Sequence, residues 1–292
     1  MGVIGLATRG VKTARPYADA VRDADGTSRE GGQLAVLPGD REATRRLREL
    51  LGNPAATPSE DALAVVAITD AGQLDAVLPS LRRRRRSGAG ALAILIGTRA
   101  ARAALERAVV AGGGLEVSNV AHVASLEGPG ARAAIDAVIR ALGPRAVAAG
   151  RLHPALRGPI GAHLVRSGAR QAAAIGAVPL AGADMPVLAL LHVRLLAQLA
   201  ALHDRPFGAE RAVEALAAVG AGFGWRALGR SAVGLVPGAG WAARGGVAYA
   251  ATRAVGEAAL ARLSAGHDLI SGPPIERARP QIDKVLGRLR RS

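Results

Sequence analysis

The sequence contains no cysteine and very few aromatic residues. Its 292 residues include only two Trp, two Tyr and two Phe. Without cysteine there can be no disulfides, no thiolate metal sites and no thiol nucleophiles. So few aromatics argue against a surface on which nucleic-acid bases stack. Alanine and glycine supply much of the 50% hydrophobic content, so we expect packing by close backbone approach rather than by large side chains.

Lysine is scarce as well, although the net charge is +15. Only Lys12 and Lys284 are lysines, so arginine carries nearly all the positive charge. Such a balance attracts polyanions, either nucleic acid or anionic lipid headgroups. GC-rich coding is the alternative explanation. The N-terminus lacks the apolar core of a signal peptide, so we expect the chain in the cytosol or on the cytosolic face of a membrane.

Long uncharged helical stretches are also missing. A membrane-spanning helix needs about 18–20 largely uncharged residues. The longest uncharged windows lie between Arg170 and Asp184 and between Arg230 and Arg244, and each contains a proline. This pattern argues against a simple span. Shallow insertion, a re-entrant hairpin and a buried soluble core remain open.

What the sequence does contain is a seven-residue pattern, Gly-x-Val-Pro-x-Ala-Gly, at residues 176–182 and 234–240. Proline removes a backbone donor and ends a helix, and glycine permits a tight reversal. Each copy separates two stretches rich in Ala, Leu and Val, which predicts two apolar helical hairpins. The residues that define the turns are Gly176, Pro179, Gly182, Gly234, Pro237 and Gly240.

The first half of the chain alternates short apolar runs with helical segments. Strands are predicted near residues 34–38, 62–69, 91–97 and 119–126, each followed by a helix. This alternation indicates a parallel sheet covered on both faces. The predicted fold class is α/β plus all-α, a small parallel-sheet domain followed by a helical-hairpin domain. The predicted boundaries are 1–33 for a mobile N-terminal segment, 34–143 for the α/β domain, 144–267 for the hairpin domain with a hinge-like start at 144–165, and 268–292 for a basic tail.

Two seams of small residues are predicted to let helix backbones approach closely. The first precedes the first turn and the second follows the second turn. The first seam consists of Gly168, Ala172 and Gly176. The second seam consists of Ala242, Gly246, Ala250, Ala254 and Ala258.

The segment Arg170–Pro186 resembles the signature of a bacterial helical domain that follows small Era-like GTPase domains and forms the membrane part of YcjF-type proteins. The resemblance continues through residues 222–228, 234–241 and 251–256 and covers roughly residues 152–263. It implies membrane association through helical hairpins and coupling to a GTPase-like module. It does not supply a reaction.

Residues 34–143 lack the phosphate loop of a GTPase. That loop reads Gly-x-x-x-x-Gly-Lys-Ser/Thr, and its backbone amides cradle phosphates. From Gly39 the chain places Thr44, Arg45 and Arg46 where Gly, Lys and Ser/Thr belong, and Asp40 adds negative charge where phosphates would lie. We interpret this region as a truncated, degenerate GTPase-like domain. An unrelated parallel α/β domain is the alternative.

Two further charged features stand out. The run Arg82–Arg86 ends a predicted helix and could grip phosphates. We favour a solvated helix end next to the negative pole of the helix dipole. Asp184, after the first turn, either caps the next helix or pairs with Arg170, Arg230 or Arg244.

The sequence predicts no catalytic residue and no cofactor site. It also predicts no metal site, since no two histidines have the i, i+4 spacing of a helical zinc site. The leading hypothesis is a non-catalytic membrane-associated or scaffolding protein, peripheral or re-entrant on the cytoplasmic side. Its expected partner is an anionic membrane surface or another protein, and self-association is left open. An active GTPase with an atypical phosphate site is one alternative. A soluble nucleic-acid-associated protein is another, against which the shortage of lysine and aromatics argues.

Overall fold

The structure, a computed structural model, describes residues 19–23, 31–55, 57, 59–113, 115–177, 184–208 and 240–269, without the side chains of residues 184–186 and 240–243. The chain divides into two compact units, residues 27–160 and residues 1–26 with 161–292. The described residues combine a four-stranded parallel sheet with many helices. The prediction of a mixed α/β and helical fold is therefore confirmed at this level.

The α/β unit contains four parallel strands in the order β1-β2-β3-β4. They are β1 Leu34–Val36, β2 Leu63–Ile68, β3 Ala91–Ile96 and β4 Val120–Val123. Every residue of β1 and β2 and all but the last of β3 are buried, as strands covered on both faces require. Beyond β1, the described residues add one isolated bridge, between Ala35 and Ala55.

Five helices of this unit follow or extend the strands. They are α1 Arg41–Leu50, α2 Leu74–Arg86, α3 Arg99–Ala111, α4 Gly128–Leu142 and α5 Ala146–Leu152. Two begin at polar caps: the Asp40 side chain accepts from the amide of Ala43 at 2.8 Å, and the Thr98 hydroxyl accepts from the amide of Ala101 at 3.3 Å. Side-chain caps of this kind satisfy amides that the first helical turn leaves unpaired.

The helices cover both faces of the sheet. Alternate residues of β2 and β3, among them Val66 and Leu95, form one buried cluster with side chains of α2 and α3. Helices α1 and α4 cover the opposite face, and Arg46 of α1 donates to Glu127, just before α4, at 3.2 Å. The helices that follow the neighbouring strands β1 and β2 thus lie on opposite faces.

The region predicted as hinge-like, residues 144–165, is largely helical. It contains short 3₁₀ turns at Gly143–Arg145 and Pro154–Leu156, helix α5, and the start of the next long helix at Arg157. Residues Ala146–Gly150 are buried. The region stays helical around its prolines, because each stands in the first turn of an α-helical or 3₁₀ segment, where the missing amide donor costs nothing.

Within its described residues, the second unit contains three long helices, α6 Arg157–Ala177, α7 Asp184–Leu202 and α8 Gly240–Ser264. Helix α6 runs antiparallel to α8 and very close to it. A Cβ atom on Gly256 would lie 2.8 Å from Val165, and one on Gly176 would lie 2.9 Å from Ala248. Glycine is therefore required where these two backbones meet.

Helices α7 and α8 run parallel in a constant register. His192 contacts Thr252, and Leu195 and Leu199 share a buried cluster with Val255 and Ala259. Each of these residues of α8 lies 60 positions after its counterpart in α7. The predicted hairpin helices are thus equivalent elements packed side by side.

The first predicted seam packs as expected, but the second is on the wrong face of its helix. Ala172 is fully buried and Gly176 faces α8. In α8, however, a Cβ atom on Gly246 would meet no described atom within 4 Å, and Ala250 is exposed. The residues that pack are Gly245, Thr252, Gly256 and Ala259. A strict spacing of four drifts around a helix of 3.6 residues per turn, so it does not follow the contact face.

Part of the predicted mobile N-terminal segment is ordered. Residues 19–23 form a helical turn, and Val21 is buried in a cluster with Val193 and Ala197 of α7. Residues 1–18 and 24–30 of that segment lie outside the described residues, as does the predicted tail beyond residue 269.

Two glycines of α8 test the corrected seam. We expect Gly256→Ala to lower the free energy of unfolding by about 1–3 kcal/mol, because its Cβ overlaps the stiff Val165 side chain. Gly246→Ala should raise it by about 0.5–1 kcal/mol, because alanine favours an exposed helix. Urea unfolding of both variants followed by circular dichroism measures the difference. Equal effects would contradict this packing.

Candidate functional site

The loop between β1 and α1 occupies the place of the expected phosphate loop. Gly39 lies so close to β2 that a Cβ atom there would be 2.7 Å from the carbonyl oxygen of Ala67. The Asp40 carboxylate caps α1 through the amide of Ala43. Helix N-termini bind phosphate because their amides are free and the dipole is positive there. Here a carboxylate of the chain itself takes that position.

The three residues that replace the phosphate-loop signature are also engaged or shielded. Arg45 pairs with Glu49 at 2.7 Å and with Glu42, and Arg46 pairs with Glu127. The hydrogen bond from Arg45 holds the pKa of Glu42 below its usual value. Thr44 Oγ1 is shielded from solvent and has no hydrogen-bond partner among the described residues. Thr44 therefore supplies a hydroxyl at the start of α1, but neither Arg45 nor Arg46 is free to replace the phosphate-loop lysine.

The loop after β2 forms a closed hydrogen-bond cluster. Asp70 Oδ1 accepts from the amide of Gly72, and the Gln73 amide group donates to Thr69 Oγ1 at 2.7 Å and to Asp70 Oδ2 at 2.8 Å. The Asp70 carboxylate is thus occupied by its own turn. Within the residues that the structure describes, no group of three or more His, Asp or Glu side chains could hold a metal ion.

An open cavity of about 400 Å³ lies beside α1. Its walls are formed by Pro38, Gly39, Arg41, Thr44, Arg45, Arg48, Glu49 and Asn53. The structure thus brings together Gly39, Thr44 and Arg45, whereas Arg46 turns away to Glu127.

The arginine run at the end of α2 has mainly a structural role. Arg84 is only 8% exposed. Its guanidinium donates to the carbonyl oxygens of Gly90 at 3.1 Å, Ser59 at 3.2 Å and Glu60 at 3.4 Å, and also to that of Ala62. A planar group with five donors suits such a cluster of carbonyls. Burial, with a contribution from Arg145, lowers the pKa of Arg84.

The other members of the run divide into two groups. Arg82 and Arg85 donate to the carbonyl oxygens of Gly112 and Gly113 at the end of α3, whereas Arg83 and Arg86 are exposed. The interpretation of the run as a solvated helix end is wrong for Arg84. A sequence signal did exist, because position 84 continues the buried stripe of Leu74, Val77 and Leu81.

In the helical unit, both repeated turns adjoin the same end, which we call the tip. Helix α6 ends there at Ala177, and α7 and α8 begin there at Asp184 and Gly240. Among the predicted turn residues, Gly176 packs against α8. The side chain of Asp184 is not described, and Pro179, Gly182, Gly234 and Pro237 lie outside the described residues.

Two large apolar side chains are exposed at the tip. Val187 is 45% exposed and Val247 is 44% exposed. Val247 lies 60 positions after Val187, so the register of α7 and α8 places both at the same level. Leu188, Leu190 and Leu191 beside them are only partly buried. No helix within the described ranges is long and apolar enough to cross a bilayer.

Five exposed arginines lie on the same three helices, and one of them, Arg253, forms an ion pair with Glu257. Five arginines and one acidic residue, Asp184, lie in the ranges 166–177, 184–194 and 240–253. The arginines are Arg166, Arg170, Arg194, Arg244 and Arg253, and all five are exposed. The tip half of the unit therefore carries an excess of positive charge.

A buried polar contact joins α7 to α8 about one turn below the exposed valines. His192 Nδ1 lies 2.8 Å from the carbonyl oxygen of Leu188, and Nε2 lies 3.1 Å from the Thr252 hydroxyl. A ring that donates from Nδ1 to the carbonyl accepts at Nε2 from the hydroxyl. Thr252 is fully buried, and burial lowers the pKa of His192.

Comparison of the chain with protein-family models finds no matching family, and comparisons with curated proteins and with solved structures also find no match. The resemblance to the GTPase-associated helical domain therefore stays a prediction.

Removing Arg84 should destabilise the α/β unit. We expect Arg84→Met to lower the free energy of unfolding by about 2–4 kcal/mol, because buried carbonyl groups lose their donors. Arg83→Met, one position away and exposed, should change it by less than about 0.5 kcal/mol. Urea unfolding of the two variants measures both values. Similar values for both would show that Arg84 is not a structural residue.

The stability of the helical unit should depend on pH through His192. Its pKa in the folded protein is lowered, so as pH falls below about 6.5 the unfolded chain takes up a proton first. The stabilising contribution of neutral His192 to the free energy of unfolding is therefore fully present above about pH 6.5. It is lost as pH drops toward the lowered pKa. In His192→Gln, the free energy of unfolding should therefore differ less between about pH 8 and about pH 5 than in the wild type. Urea unfolding at the two pH values measures this difference.

The matched control is His153→Gln. Burial also lowers the pKa of His153, but this residue belongs to the α/β unit. Its replacement should therefore leave the pH dependence of the helical unit unchanged. A wild-type pH dependence in the His192 variant would contradict the assignment.

Proposed function

We propose that the chain is a non-catalytic, membrane-associated or scaffolding protein in which a degenerate GTPase-like α/β unit is coupled to helical hairpins. It acts on the cytoplasmic side of a bacterial membrane, as a peripheral or re-entrant protein. The observation that supports this proposal most is the tip, where Val187 and Val247 are exposed at one level on helices that also carry exposed arginines.

The α/β unit supports the non-catalytic part of the proposal. Four parallel strands in sequence order correspond to one half of a doubly wound sheet, and in the described residues only the bridge between Ala35 and Ala55 extends β1 outward. Asp40 fills the N-terminal position at which a phosphate would bind. A unit of this kind retains the scaffold of a nucleotide-binding domain without its phosphate-binding groups.

The tip supports the membrane part. Monomeric proteins expose large apolar groups in clusters mainly at interaction sites. A surface that combines exposed valines and partly buried leucines with exposed arginines on the same helices matches the bilayer interface, where apolar groups enter the acyl boundary and cations meet anionic headgroups. The arginine side chains can extend along the apolar surface and keep their charge at headgroup level.

The proposal predicts binding to anionic vesicles through the tip. At low salt the full-length protein should float with phosphatidylglycerol vesicles and bind less to phosphatidylcholine vesicles. Val187→Ser with Val247→Ser should weaken binding about tenfold or more, because two buried valine side chains are lost from the interface. The matched control is Val117→Ser with Leu152→Ser, which removes two exposed apolar side chains from the α/β unit.

Two results would contradict the proposal. Membrane association through the tip would be contradicted if the protein stayed wholly unbound with anionic vesicles, or if both double variants bound the vesicles equally weakly. Micromolar binding of GTP with magnesium, measured by calorimetry, would favour the alternative of an active GTPase with an atypical phosphate site.

A further inference from the structure

The cavity beside α1 has its own charge pattern, apart from the membrane proposal. Arg41, Thr44, Arg45 and Arg48 lie on one face of α1, since their spacings follow the helical period. Pro38 and Gly39 close the cavity at the carboxyl end of β1. Asn53, which has a left-handed backbone with φ of 55°, closes it after α1.

Two of the lining arginines keep charge that no carboxylate of the described residues neutralises. Arg41 forms no hydrogen bond or ion pair with a described residue, and Arg48 donates only to the carbonyl oxygen of Pro54, at 3.3 Å. Arg45, between them, is held by Glu42 and Glu49. Arg41 and Arg48 are seven residues apart, about 10 Å along the helix axis. The cavity thus presents two separate cationic groups.

Between these cations lies the Thr44 hydroxyl, which is shielded from solvent and lacks a partner among the described residues. Buried polar groups are normally hydrogen-bonded, so such a group needs a specific explanation. A volume of about 400 Å³ is in the range of small-molecule sites. The ligand cannot occupy the helix N-terminus itself, because Asp40 is there, and must lie along the side of α1.

We propose that this cavity binds a small polyvalent anion whose carboxylate or phosphate groups contact Arg41 and Arg48. Charge-assisted bonds from arginine to such groups are among the strongest hydrogen bonds in proteins. To donate to the ligand between them, the Thr44 hydroxyl must rotate from its shielded position into the cavity. The site differs from a nucleotide site in position, because it follows the flank of α1 rather than its first turn.

Calorimetry of the full-length protein with pyrophosphate and with citrate tests this proposal, at low ionic strength with chloride as the counter-ion control. We expect at least one of the two anions to bind, and the preferred one identifies phosphate or carboxylate as the recognised group. Arg41→Gln with Arg48→Gln should weaken binding about tenfold or more. Arg83→Gln with Arg86→Gln removes the same charge from exposed positions of α2 and should leave the affinity unchanged.

A third variant separates the hydroxyl from the charges. Thr44→Val is nearly isosteric and should weaken binding severalfold while the fold is kept. The proposal is overturned if neither anion binds above the chloride background. It is also overturned if both arginine double variants weaken binding equally, because that result would indicate a general attraction between opposite charges. Unchanged affinity in Thr44→Val overturns the role of the hydroxyl. None of these results bears on vesicle binding.

Discussion

Helix α6 can lie against α8 only because glycine stands where the two backbones meet. The chain has almost no aromatic side chains to fill wide gaps, so its helical unit must be held by close contact. Gly161, Gly176 and Gly256 leave no space for a Cβ atom. This close pair also sets the position of α7, whose leucines pack into the same cluster as Val165 and Val255. The common level of Val187 and Val247 follows from that arrangement.

The two ends of the sheet are closed by opposite charges. At the carboxyl ends of the strands, Asp40 and Asp70 cap backbone amides. At the amino ends, Arg84 collects carbonyl groups of the loops that enter β2 and β3. In both places a charged side chain satisfies the backbone of its own chain. Groups that are saturated in this way are poor ligands for a nucleotide or a metal ion, which agrees with the proposed non-catalytic role.

Most strands and helices could be predicted from the sequence, because apolar runs, caps and prolines act locally. The four strands lie within a few residues of their predicted positions, and α1, α3, α7 and α8 follow the strands and turns after which helices were predicted. The region predicted as hinge-like, 144–165, is largely helical, and the boundary between the two units falls within it, after Ile160. Its helical character was missed because proline in a first helical turn looks the same in sequence as proline in a linker. The second seam was wrong because a spacing of four alone does not determine which face of a helix is buried.

Local sequence was enough to specify the parallel sheet, the helices after the turns, the absent phosphate-loop lysine and the lack of a long uncharged stretch, because each depends on neighbouring residues. Tertiary contacts were needed to show that Arg84 is buried among carbonyls and that Val187 and Val247 are exposed at one level. These features join residues far apart in the chain or on packed helices, and side-chain type alone does not specify them. The repeated Val-Pro pattern lies between the two cases: its sequence predicts helix ends, but only the packing of α6, α7 and α8 shows that the end of α6 and the starts of α7 and α8 lie together.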